Sequence, residues 1–245
     1  MYQSRTYRNL VSRKDLRAFR QVVKETDLFV HAEKPLEDIT RESILKHRGY
    51  IEAYIKEHPE FATTLVPWHI IGPSPKIVRE MAEAGEKAQV GPMAAVAGTL
   101  AERVGRDLLS FSREVIVENG GDVFLKTNTA VTVGVFAGKS PLSMRVGLNM
   151  EPSGRPVSVC TSSGTVGHSL SLGNADAVCV VSESCPLADA AATSIGNRVV
   201  NRNDIPAAID YGKTIEGVAG IVIIMDEEMG LWGKIEIIPL KGKKG

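Results

Sequence analysis

Apolar and polar positions follow two different periods along this chain, and the switches between them outline its elements. In ITRESILKHRGYIEAYIKEHPEF, the positions Ile44, Leu45, His47, Tyr50, Ile51, Tyr54 and Ile55 recur every three to four residues, which predicts an amphipathic helix. Thr40 or Asp38 is placed to cap its start, and Pro59 marks its end. Ahead of it, Phe19–Val23 and Leu28–His31 flank the turn KETD and predict a β-hairpin. WHIIGPSP, residues 68–75, reads as a loop. Two helices follow: SPKIVREMAEAGEKAQ, with Ser74 and Pro75 at N-cap and N1, and AAVAGTLAERVGRDLL, whose small residues predict close packing by another element. EVIVEN is a strand that enters the turn Asn119–Asp122, and VFLK is the strand that leaves it. Further strands are predicted at Ala130–Ala137, Ser143–Leu148, Ala175–Val181, Ile221–Asp226 and Lys234–Pro239, with a helix at Pro186–Ile195. Strands outnumber helices and do not alternate with them one for one. That pattern predicts an α+β domain with a mostly antiparallel sheet rather than a doubly wound one.

Composition narrows the function classes. The 245 residues suffice for one domain, read here as a single unit over residues 1–245 with the hairpin and helix of residues 1–60 packed on it. Lys+Arg and Asp+Glu are 29 each, so the formal net charge is zero. That speaks against a dedicated nucleic-acid binder and against a polybasic membrane-surface protein. The longest apolar run, Val218–Met225, falls far short of the roughly 20 residues a bilayer span needs. A polar N-terminus without an apolar core predicts no secretory signal, and three cysteines cannot build a disulfide framework. A cytoplasmic location is the expectation.

Chemistry concentrates in three segments. Residues 127–175 hold only four charged residues but 13 Ser or Thr and seven Gly, which reads either as a β-meander with polar turns or as a groove lined by hydroxyls and N–H groups. Within it, Ser162, Ser163, Gly164, Thr165 and Gly167 form a turn able to present several N–H groups to an anion, and His168 lies inside that turn as a structural residue or a base. GVFAGKS, Gly134–Ser140, is not a phosphate loop: it has one residue too few between its glycines, and a strand rather than a helix follows. The third segment is SESCPLADAAATSIGN. With Pro186 at N1, Asp189 and Thr193 lie one turn apart on one helix face. They are either a dipole acid with an unrelated hydroxyl, or two oxygen ligands for a hard cation such as Mg²⁺. The small residues Ala188, Ala190, Ala191 and Ala192 leave room for a bulky ligand against this helix. Cys185 before Pro186 is either a small cap residue or a thiol activated by a helix N-terminus.

Taken in order, these segments resemble the ApbE superfamily of flavin-binding proteins, which includes FAD:protein FMN transferases. Its pattern runs as a GxAKG helix, NxGGD, ATSGxY, HxxDPxTG and ADxxAT. Here Ala188-Asp189 through Ala192-Thr193 match ADxxAT, Asn119–Asp122 approximate NxGGD, Thr161–Gly164 approximate ATSG, and the match covers roughly residues 88–200. The departures are equally specific: AAVAG lacks the lysine of AKG, HSLSLG keeps His168 but not the Asp-Pro, and no tyrosine follows TSSG. The resemblance implies a layered, T-fold-related domain and FAD as ligand with Mg²⁺ held by Asp189 and Thr193. It further implies Gly120, Gly121, Thr161, Ser162, Ser163 and Gly164 around the nucleotide, and His168 as proton acceptor. The implied activity is Mg²⁺-dependent FMN transfer from FAD, or cleavage of FAD to FMN and AMP. A homodimer is implied as well. The alternative is a non-catalytic small-molecule or interaction protein on the same fold, of a kind that serves sulfur assimilation in anaerobes, where Cys160, Cys179 or Cys185 would matter.

Overall fold

The computed structural model describes residues 15–165 and 171–240. It begins with the predicted hairpin, β1 (Arg17–Val23) and β2 (Thr26–Ala32), joined through Lys24 at a positive φ of 52°. Helix α1 (Glu37–Glu57) follows and buries Ile44, His47, Ile51 and Tyr54. Leu45 and Tyr50, which the periodicity assigned to the same stripe, are instead exposed at its margins. Neither Asp38 nor Thr40 caps α1: Leu36 occupies the N-cap, and Thr40, already inside the first turn, donates its hydroxyl back to the Leu36 carbonyl at 2.7 Å. Likewise α2 (Lys76–Ala88) starts one residue later than predicted, with Pro75 at its N-cap and no side-chain cap. A 3-10 turn at Pro92–Ala95 leads into α3 (Val96–Leu108).

The strands that follow build two sheets. They are β3 (Val115–Asn119), β4 (Asp122–Lys126), β5 (Val131–Gly134), β6 (Val146–Met150), β7 (Val157–Ser162) and β8 (Ala177–Ser182). Then come α4 (Cys185–Gly196), α5 (Ile205–Gly212), β9 (Val218–Met225), β10 (Glu228–Gly233) and β11 (Glu236–Pro239). The large sheet runs β1-β2-β3-β4-β7-β8-β9-β10 and the small one β11-β6-β5, with every neighbouring pair antiparallel. Mixed helices and antiparallel sheet confirm the α+β class.

Sequence alternation explains the layering. Along β3 and β4, Val117 and Phe124 face a core shared with the helices, whereas Ile116, Val123 and Leu125 face a second core against the small sheet. In β8 and β9, Val180 and Ile221 serve the first core while Cys179, Val222 and Ile224 serve the second. Middle strands buried on both faces read as continuous apolar runs, here VIV in β3 and VCVV in β8. Helix α4 lies over β7 and β8 with α2 and α3 beside it, so the segment with the most candidate chemistry sits centrally.

Candidate functional site

The site begins where two helices start. Ser184 caps α4 by accepting the Leu187 N–H at 3.4 Å, so Cys185 is the first helical residue and Pro186 the second, one position later than the sequence placed them. Helix α3 can come against this first turn because residue 98 has no side chain. A Cβ on Gly98 would lie 2.5 Å from the Cys185 carbonyl oxygen and 2.8 Å from the Asp189 Cβ. This is the close approach that the small residues of α3 foretold.

Asp189 reaches across to α3 and accepts the Gly98 N–H at 2.8 Å, with a second bond from the Ala97 N–H. These are orphan donors of α3, for which Ala95 at the N-cap offers no hydrogen-bonding side chain. The reverse contact also exists. Glu102 of α3, 6% exposed, accepts the Cys185 N–H at 2.8 Å with one oxygen and the Arg106 Nε at 2.7 Å with the other. Each helix therefore supplies the acid that meets the positive end of its neighbour. Asp189 is a dipole acid, but chiefly for another helix.

A third acid faces this junction. The turn from β3 to β4 passes through Gly120 and Gly121 at φ of 70° and 118°, a backbone path that suits glycine. It delivers Asp122, 6% exposed, beside Asp189. The nearby Cys160 thiol and Thr161 N–H favour the charged form of Asp122, while its Oδ1 is buried without a partner. Burial and the nearby Asp189 charge push the Asp122 carboxyl far above the ordinary carboxylate range. Burial raises Asp189 as well, against the lowering effect of its bonds from Gly98 and Ala97. Asn119 ties the same turn to α3 by donating its Nδ2 to the Ala97 carbonyl at 3.0 Å. The Glu118 carboxylate accepts the Gly121 N–H at 3.1 Å.

The remaining predicted residues extend from this junction along β7. A Cβ on Gly121 would lie 3.4 Å from the Thr161 carbonyl, so the glycine turn abuts β7. The Thr161 hydroxyl pairs with the Cys179 thiol at 3.2 Å, and Ser162 ends β7 near Gly196 at the far end of α4. The expected anion-binding turn is largely satisfied internally: the Gly164 N–H donates to the Ala175 carbonyl at 2.9 Å and the Thr165 N–H to the Ser163 hydroxyl at 3.1 Å. Thr193 is half-buried one turn beyond Asp189, and its hydroxyl makes no hydrogen bond among the described residues. His168 lies outside the described residues.

Two expectations change. The alanines of α4 are not an open wall for a ligand, because Ala188, Ala190, Ala191 and Ala192 are all buried against protein. Nor is Cys185 an activated thiol: it is fully buried 3.5 Å from the Cys160 sulfur, and burial raises both thiols. Cys179 is pushed up to about 11 by the same cause. Among the described residues no three His, Cys, Asp or Glu side chains converge as a closed metal centre. Asp189 and Thr193 thus fit a cation only as a partial oxygen set completed by a ligand. Asp122 and Glu102 were not singled out from the sequence. Asp122 carried one signal, an acid directly after a Gly-Gly turn, and Glu102 carried none.

The fold is an antiparallel sheet with helices on one face and a small sheet on the other, and it is the fold of ApbE proteins. Solved structures agree. The apo flavinyl transferase ApbE of Pseudomonas stutzeri superposes with a TM-score of 0.58 over 89% of this chain and 94% of that one, at 13% identity. The flavin transferase ApbE of Vibrio cholerae gives 0.55 over 89% and 96%, at 11% identity. The family model described as AbpE bacteria matches residues 8–231, and the chain belongs to that family. Its relatives include a UPF0280 protein of Methanococcus aeolicus, 44% identical over 81% of this chain and 82% of the relative. Another, from Methanosarcina acetivorans, is 40% identical over 87% and 85%. No helix among the described residues is long and apolar enough to cross a membrane.

Proposed function

We propose that this protein binds a flavin nucleotide, FAD, together with Mg²⁺, and acts in flavin transfer. The observation that supports the reading is that the Gly120–Gly121 turn abuts Thr161 of β7 and delivers Asp122 beside Asp189 of α4, with Thr193 one turn further along that helix. In this reading Asp189 and Thr193 hold the cation and the phosphates of the nucleotide complete its oxygen shell. That division suits Mg²⁺, which keeps few protein ligands. Asp122, with one buried oxygen lacking a partner, lies at the same place, and a bound cation would draw its raised carboxyl back toward the charged form. Bound Mg²⁺ would supply charge neutralisation at the pyrophosphate. The chain's own contribution is positional: Gly120 and Gly121 let backbone approach the ligand, Thr161, Ser162, Ser163 and Gly164 border it, and His168 accepts the proton of the attacking hydroxyl.

A second reading, binding without turnover, is favoured by the missing lysine in AAVAG and the missing Asp-Pro after His168. Calorimetric titration with FAD, with and without Mg²⁺, decides whether the ligand is right. Saturable binding that tightens with Mg²⁺, and loses that dependence in Asp189→Ala, supports the site. No heat up to about millimolar FAD, a binding free energy weaker than about 4 kcal/mol, removes the flavin reading. Release of FMN and AMP, or transfer of FMN, then separates turnover from binding alone.

A further inference from the structure

The two edges of the large sheet are built differently. Strand β1 is blunted by charge: it carries Arg17 and Arg20, and Lys24 follows it. Arg20 is locked to Asp27 at 2.8 Å and Lys24 to Glu52 at 2.6 Å. Such charges are how sheets prevent edge-to-edge pairing. Strand β10, EMGLWG, has β9 on one side and, among the described residues, no strand on the other, and it contains no Lys, Arg or Pro. Met229 and Leu231 on it are 38% and 50% exposed. On the helix side it borders a groove of about 530 Å³ whose lining includes Ile205 and Ile209.

From this contrast we infer that β10 is a self-association edge, on which a second copy of this chain pairs its own β10 antiparallel and joins two large sheets into one. The occupant follows from the sequence of the strand. Its acids, Asp226, Glu227 and Glu228, lie at the start, and the exposed Lys234 directly follows its end. Such a strand is complementary to itself only when antiparallel, because parallel pairing would set acid against acid. A two-fold axis through Leu231 sets Leu231 against its symmetry mate and Met229 against Gly233, and brings Glu228, paired with Arg202 at 3.5 Å in its own chain, toward the Lys234 that follows the neighbouring strand. The same register sets the partner's Trp232 beside Gly230. Gly230 has no side chain because Ile205 and Ile209 occupy the space where a Cβ would go. A neighbouring indole lies beside that glycine, against the outer flank of the two isoleucines that fill the space above it.

Sedimentation of the full-length protein over a wide concentration range tests this directly. The expected result is a dimer that Leu231→Lys converts to a monomer with unchanged circular dichroism and melting. Because Leu231 is half exposed, its replacement leaves the core intact. Glu228→Lys should also dissociate the dimer, and Glu228→Lys combined with Lys234→Glu should restore it, which no general loss of folding can imitate. A wild-type monomer at every concentration overturns the inference. So does a dimer that persists through both Leu231→Lys and Glu228→Lys. Neither outcome depends on flavin binding.

Discussion

Asp189 carries two separable tasks, and a pair of substitutions at this position tells them apart. In the fold it accepts the Gly98 N–H at 2.8 Å and the Ala97 N–H, so Asp189→Ala leaves two donors at the start of α3 without acceptors. Loss of a helix cap of this kind costs about 1–2 kcal/mol, or about 2–8 °C in melting temperature for a chain of this length. Asp189→Asn keeps an oxygen for the same donors and removes only the ionisable proton. Its effect should therefore depend on pH, and the sign follows from linkage. The folded Asp189 carboxyl is raised to about 7, whereas an unfolded aspartate titrates near about 3.9. Between those values the folded state holds a proton that the unfolded state has lost. Wild-type stability must then fall as pH rises through that window, by up to about 1.4 kcal/mol per pH unit, and level off above the folded value.

Asparagine has no such proton to lose. Relative to wild type, Asp189→Asn should already be the more stable protein at pH 5, by about 1.5 kcal/mol, and more so at pH 8, while Asp189→Ala is less stable than Asp189→Asn at both. Guanidinium unfolding of all three proteins at both pH values, without metal or nucleotide, measures this. A wild-type-to-Asn difference that stays flat between pH 5 and 8 would refute the buried-charge argument. An Ala variant as stable as Asn at pH 5 would refute the capping argument, and Asp189 would then be free for ligand alone.

Gly98→Ala tests the helix approach: its Cβ would meet the Cys185 carbonyl at 2.5 Å, so a substitution that gains up to about 1 kcal/mol in an ordinary helix should here destabilise by about 1–3 kcal/mol in chemical denaturation. His31, 5% exposed, has a buried Nδ1 without a partner, and burial lowers its pKa. A depressed histidine gives stability that is lost as pH falls below the unfolded value of about 6.5, so His31→Leu should gain about 1 kcal/mol at pH 7 and more at pH 5 in the same assay.

Some of this architecture could be read directly because local pattern and tertiary role coincide. The hairpin, α1, and the strands on either side of the Gly-Gly turn each have the period or turn chemistry of the element they form. Strand β7 escaped because Ser158, Thr161 and Ser162 look like a polar turn, although Ser158 is fully buried within the sheet. Strand β10 escaped because two glycines in six residues weaken the strand signal, and α5 because eight residues are too few to establish a period.

The candidate site divides along the same line. Asp189 stood out through its spacing to Thr193 within one helix, and the glycines of the turn through local backbone need. What Asp189 does in the folded chain is set by Gly98, 91 positions away, just as the start of α4 is held by Glu102, 83 positions away. Nothing in the neighbourhood of either acid announces its partner, because a helix acid facing solvent and one facing another helix look alike in sequence. The small residues of α3 came nearest to announcing it: they implied a close neighbour, and with α4 identified as that neighbour, Gly98 marks where the contact is tightest. Small residues thus located the junction, while the acids that occupy it required the fold. The same argument separates structure from ligand at Asp189. A carboxylate bound to two backbone N–H groups can hold a cation only with what those bonds leave over, and this is why, in the proposed function, the cation would need the nucleotide phosphates and Thr193 beside it.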